Sequence, residues 1–175
     1  MVDDADRMRF LDELRAVVGG HGWRCGAYCV LDTHAHLVVC TPEPNLGAGM
    51  KLFLGRYAYT HNRRHGRQGH LLGRRFWSRR VDKPHYLRCA ALYTVLNPVA
   101  AGICSHPGGF RWSSYRETAA ATRASGLLDL GWCWARLPTM SKPRGPGMWR
   151  PSTRRSPDSA AGALRRRGGE PSSGR

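Results

Sequence analysis

Cys29-Val-Leu-Asp-Thr-His-Ala-His-Leu-Val-Val-Cys40 is the stretch on which the reading of this chain turns. Its apolar and β-branched content suits a strand, and along a strand successive side chains alternate between the two faces. His34 and His36 therefore point the same way, while Ala35, Leu37 and Val39 point the other way and pack. Two imidazoles side by side can hold one metal ion between their ring nitrogens, although a solvent-facing polar pair would show the same spacing. Just upstream, Trp23–Leu31 is a second run of strand character. The two runs, Trp23–Leu31 and His34–Thr41, read as a hairpin turned at Asp32-Thr33.

Further out, the period changes from two to that of a helix. Phe10, Leu11, Leu14, Val17 and Val18 form one apolar stripe, with aspartates before it as a start signal and Gly19-Gly20 after it as a stop. Past Pro42, Pro44 and Gly47, the residues Met50, Phe53, Leu54 and Tyr57 repeat at helical spacing to about Asn62. A Gly- and Arg-rich loop holding His61, His65 and His70 comes next. These histidines share no face with His34 and read as phosphate or solvent contacts. Arg74 to Val81 alternates as a third strand. Pro84 to Leu96 forms a further helix, with Asp82 as its cap and Pro98 as its end. On that helix Tyr93 and Asn97, four apart, share a face. A phenol is a usable nucleophile and an amide oxygen a metal ligand. The residue before a proline is pushed out of the α region, which places Asn97 at the helix terminus.

Charge points to a polyanionic partner. Against 28 Lys+Arg stand 12 Asp+Glu, for a formal charge of +16. From Lys51 to Arg88 there are eleven Lys/Arg and one acid, Asp82, for +10; the rest of residues 1–117 carries six Lys/Arg and eight acids, for −2. The positive potential thus lies between the histidine strand and the tyrosine helix, where a substrate phosphate would sit, with Arg63, Arg64, Arg67, Arg74, Arg75, Arg79 and Arg80 as the DNA-binding candidates. Phe76-Trp77, set among these arginines, suits stacking on unpaired bases, with strand alternation burying one of the two. No apolar run approaches the roughly 18 residues of a membrane helix, and the acidic start is unlike a secretory signal. The six cysteines at 25, 29, 40, 89, 104 and 133 contain no C-x-x-C pair and read as small buried thiols of a cytoplasmic protein.

From about Arg9 to about Tyr115 the chain resembles the REP-associated tyrosine transposases, members of the HUH single-strand endonucleases. The resemblance rests on Trp23-Arg-Cys-Gly-Ala-Tyr-Cys-Val-Leu-Asp-Thr-His-Ala-His-Leu-Val-Val, on Asn62-Arg-Arg-His-Gly-Arg-Gln-Gly-His-Leu, on Tyr93-Thr-Val-Leu-Asn-Pro-Val-Ala-Ala-Gly102 and on Trp112-Ser-Ser-Tyr115, in that order. It implies an α+β, ferredoxin-like (RRM-like) antiparallel sheet with helices on one face. It also implies a divalent metal, Mg²⁺ or Mn²⁺, on His34 and His36 with Asn97 as third ligand, and Tyr93 as the catalytic nucleophile that attacks single-stranded, hairpin-forming DNA to leave a 5′-phosphotyrosine and a free 3′-hydroxyl. Such a protein would lie on the nucleoid.

Family members open with a strand before the first helix, and here only about eight residues, three of them aspartates, precede it, so the expectation is a domain over residues 1–117 lacking that strand. In residues 141–175, Gly, Pro and Ser fill six, five and six of 35 positions, and residues 118–175 read as a mostly disordered basic tail. Two rival readings remain at this stage. One is a single-stranded or hairpin DNA-binding protein, descended from a decayed transposase, that has lost cleavage. The other, poorer, is a structural zinc protein built on His34, His36 and Cys40.

Overall fold

The structure is a computed structural model that describes residues 3–73, 75–120 and 125–134. The chain is α+β. Helix α1 (Asp4–Gly20) leads into strands β1 (Arg24–Val30) and β2 (Ala35–Cys40), followed by α2 (Leu46–Arg64), α3 (Pro84–Ala100), a single 3₁₀ turn (Pro107–Gly109), α4 (Tyr115–Ala120) and α5 (Leu130–Trp134). Asp3 caps α1, its carboxylate accepting the Asp6 N–H at 2.9 Å. From there Phe10, Leu14 and Val17 recur on one buried face.

β1 and β2 pair antiparallel, with Cys29 opposite His36 and Val30 opposite Ala35. The hairpin closes where the Leu31 N–H donates to the His34 carbonyl at 2.9 Å, around Asp32-Thr33. Alternation holds along β2: Ala35, Leu37 and Val39 pack on the main core of Phe10, Leu14, Val17, Trp23, Val30, Met50 and Phe53, while Val38 joins a second core of Ala27, Ala91, Val95 and Cys133. The helices accordingly cover both faces of the sheet, α1 and α2 on one and α3 and α5 on the other. The expectation of helices on one face only is corrected: two apolar faces on one hairpin each need a cover. Gly26 marks a register irregularity in β1, and a Cβ there would lie 2.7 Å from the Cys133 sulfur, so α5 rests directly on strand backbone.

Among the described residues the sheet has two strands, and residues 75–81 pair with neither. The expected strand at 74–81 is not formed, and Arg74 lies outside the described residues. Alternation alone does not make a strand, which needs the backbone hydrogen bonds of a paired neighbour. Its alternation survives as packing: Phe76 lies against the main core, whereas Trp77 is 83% exposed. The other edge of β1 is taken by two short pieces from far along the chain. The Val30 N–H donates to the Trp112 carbonyl at 2.8 Å, the Ser114 N–H to the Tyr28 carbonyl at 2.9 Å, and the Asp129 N–H to the Cys25 carbonyl at 2.8 Å. That is the structural work of the Trp112-Ser-Ser-Tyr115 motif.

The folded unit therefore runs beyond the boundary expected at residue 117. Leu127, Leu128 and Cys133 are buried, and Glu117 accepts from the Ser125 hydroxyl at 2.8 Å. Residues 135–175 of the expected tail, with their arginine clusters, lie outside the described residues. Two details of α3 also depart from expectation. Asp82 pairs with Arg80 at 2.5 Å, and Lys83 occupies the N-cap without a side-chain cap bond. Pro98 lies inside the helix, which runs on to Ala100. The ring removes one N–H at the last turn, and the helix closes with the Ala101 N–H on the Asn97 carbonyl at 2.8 Å.

Candidate functional site

The hairpin and α3 bring three chemically active side chains together. His34 and His36 emerge on the α3 side of β2, with Nε2 atoms 3.1 Å apart and ring centroids 4.9 Å apart. The Tyr93 ring stands edge-on to His36, at 5.3 Å between centroids and 87° between planes. α3 is held against β1 by Ala91 and Val95, which pack on Ala27, so Tyr93 lies on the flank of the helix beside β2 and is 58% exposed, open to a large substrate. Asn97 follows one turn later and, contrary to the expectation from the following proline, is helical and buried at 7% exposure.

The electrostatics favour neutral imidazole at His36. Burial, and secondarily the neighbouring His34, hold its pKa below the ordinary histidine value. A lone pair of His36 is thus available near neutral pH. Two nitrogens each about 2.1 Å from one ion and subtending a right angle stand about 3 Å apart, which the observed 3.1 Å matches. His34 Nδ1 lies 3.0 Å from the Thr33 hydroxyl, an outer partner that orients the ring. Cys40 cannot join this pair: four residues of strand place it about 13 Å from His36 along β2, which removes the structural-zinc reading.

The basic segment divides. Arg63, Arg64, Arg67, Arg75, Arg79 and Arg80 are all exposed, but Arg64 turns back onto Asp3 and Asp6, each at 2.6 Å. Asn62 donates to the Gly69 carbonyl at 2.8 Å and braces the loop that carries Arg67. His61 and His65 are not loop residues. His61 is a buried position of α2 and His65 its C-cap, and both meet the buried Asp6 of α1. Asp6, His61 and His65 form a group that could hold a metal ion. Sequence reasoning passed over it, although the spacing of four between the two histidines on a helix was a usable signal. The buried thiols are inert: burial pushes Cys25 and Cys29 up to about 12 and Cys133 to about 11. All six cysteines are free.

No protein-family model, no curated protein and no solved structure matches this chain. Among the described residues no helix is long and apolar enough to cross a membrane.

Proposed function

We propose that this chain is a metal-dependent tyrosine transposase, a single-strand DNA endonuclease and strand transferase of ferredoxin-like type similar to the REP-associated tyrosine transposases, acting in the cytoplasm on the nucleoid. The observation that carries the reading is the contact of the Tyr93 ring with His36 beside His34. A nucleophile touching a paired imidazole set, bordered by a segment of net charge +10, is what phosphodiester chemistry on a polyanion requires.

In this reading His34 and His36, with Asn97 as a third candidate ligand, hold a divalent ion. The mixed nitrogen and oxygen donors suit Mn²⁺ or Mg²⁺, Mn²⁺ being better matched to imidazole. A divalent ion held there would supply electrostatic stabilisation of the charge that develops on the scissile phosphate. Tyr93 Oη gives up its proton to solvent and attacks phosphorus in line. An O–P bond to the tyrosine forms, the P–O3′ bond breaks, and the departing 3′-oxygen takes up a proton to become the free hydroxyl. The phosphodiester energy is kept in the 5′-phosphotyrosine, so the reverse attack by a 3′-hydroxyl rejoins strands. Arg63, Arg67, Arg75, Arg79 and Arg80, with Arg74, neutralise flanking phosphates, and the exposed Trp77 offers a ring on which an unpaired base stacks. The substrate class is single-stranded DNA, with hairpin-forming repeats as the first choice.

The test is incubation of the full chain with labelled single-stranded hairpin DNA and Mn²⁺, followed by a denaturing gel. A protein-linked band is expected from the native chain, and none from Tyr93→Phe, in which only the attacking oxygen is removed. His34→Ala and His36→Ala should likewise give no adduct and bind Mn²⁺ more weakly. An adduct undiminished in Tyr93→Phe overturns the assignment of Tyr93. DNA binding with no adduct from the native chain favours the reading as a binding protein that has lost cleavage.

A further inference from the structure

We propose that Asp6, His61 and His65 form a second metal site, across the sheet from the His34–His36 pair, which takes a Zn²⁺-like transition-metal ion and clamps α1 to α2. The donors already converge on one point. His65 Nε2 lies 2.9 and 3.1 Å from the two Asp6 oxygens, and His61 Nε2 lies 3.4 Å from Asp6 Oδ2. Ligand atoms of a tetrahedral ion held at about 2.0–2.1 Å are about 3.3 Å from one another, so an ion would enter with small adjustments. Two histidines four apart on a helix present their rings on one face, and a carboxylate from a second helix completes a three-donor set that leaves a fourth position open. Imidazole donors select transition ions over Mg²⁺.

The surroundings point to an occupant. Asp6 is 2% and His61 4% exposed, and both line a cavity of about 230 Å³ together with Tyr57, Thr60 and Arg64. The Tyr57 hydroxyl, buried there, finds no hydrogen-bond partner among the described residues; His61 Nδ1 also lacks one, and an ion on Nε2 leaves it so. Such orphans are uncommon in native proteins and call for an explanation. A water on the ion's fourth position would supply the Tyr57 hydroxyl with one.

Arg64 stands in the ion's way and has somewhere else to go. Its guanidinium touches Asp6 at 2.6 Å and also grips Asp3 with two nitrogens, at 2.8 and 2.6 Å. When an ion takes the Asp6 carboxylate, Arg64 keeps its bidentate hold on the half-exposed Asp3. The arginine is thus a competing cation whose removal should strengthen metal binding, a response that a purely hydrogen-bonded network would not give.

The experiment uses the full-length His34→Ala/His36→Ala double variant, in which the first pair is removed, stripped with a chelator and titrated with Zn²⁺ by calorimetry and with Co²⁺ by visible absorption. One equivalent of either ion should bind, Co²⁺ giving the intense bands of a tetrahedral site, and Zn²⁺ should raise the unfolding midpoint. Adding His65→Ala, at a partly exposed position that opens no core cavity, should weaken binding at least about tenfold, and adding Arg64→Gln should tighten it. Loss of all binding in the double variant overturns the proposal. So does Zn²⁺ affinity unmoved by His65→Ala. Neither result touches the Tyr93 reading, which stands or falls on the DNA adduct.

Discussion

Asp6→Asn isolates the energetic role of the buried carboxylate between α1 and α2. Asparagine keeps the shape and one acceptor oxygen but removes the charge, so what is lost is the charge-assisted part of the hydrogen bonds that Asp6 receives. A well-formed bond to a charged group contributes about 1.5–3 kcal/mol to stability. Of the two imidazoles at Asp6, the partly exposed His65 at 2.9 Å makes such a bond, and the buried His61 at 3.4 Å makes a poor one. Arg64 retains Asp3 and is not left stranded. The expected loss is therefore about 2 kcal/mol, below the 3–5 of a fully buried ion pair broken on one side. With a urea dependence of about 1–3 kcal/mol per molar, the midpoint should fall by about 1 M. Asp3→Asn is the control, since asparagine caps a helix as well as aspartate does and Asp3 is half exposed; its midpoint should stay where it is. Both variants are unfolded in urea with a chelator present and followed by far-ultraviolet circular dichroism. An Asp6→Asn midpoint within about 0.3 M of the native chain would refute the claim that this carboxylate ties the two helices together.

Other expectations follow from the same geometry. Neutralising Arg74, Arg75, Arg79 and Arg80 together should weaken single-stranded DNA binding and flatten its salt dependence, by about 0.7 in the log–log slope for each phosphate that no longer meets an arginine; an unchanged slope places the DNA elsewhere. His36 and His61 both have folded pKa values below the ordinary 6.5, so the unfolded chain takes up protons first as pH falls. Stability should decline from about pH 6.5 downward until the folded-state values are reached, and a thermal midpoint that rises between pH 7 and pH 5.5 would contradict this. Gly49→Ala should cost about 1–3 kcal/mol by overpacking, because a Cβ there would sit 2.2 Å from the Trp23 ring, and Trp23 is fixed through its indole N–H on Asn45 at 2.7 Å. Thermal melts of that variant showing no loss of stability would mean that α2 can move away from Trp23 at little cost.

Sequence alone determined what depends on neighbours a few residues away. The stripe from Phe10 to Val18 set the first helix, and the alternation from His34 to Val39 set both the strand and the side on which the two imidazoles stand, because helical and strand periods are properties of the local backbone. Phe76 packing while Trp77 faces water came from the same rule, and it held even though the segment forms no strand. Only the tertiary structure decided the rest. Whether residues 75–81 form a strand depends on a ladder partner, and the edge of β1 away from β2 proved to be taken by Trp112–Ser114 and Asp129, the Tyr28 N–H donating to the Ser114 side chain across 86 residues. Pro98 is accommodated within α3, which keeps Asn97 helical beneath Tyr93. The approach of Tyr93 to His36, and the meeting of Asp6 with His65 across 59 residues, come from helices docking on opposite faces of one hairpin. Long-range docking of this kind is driven by burial of apolar surface that has no direction of its own. Local periodicity therefore says which face of each element is buried, and packing alone says which polar side chains are carried together.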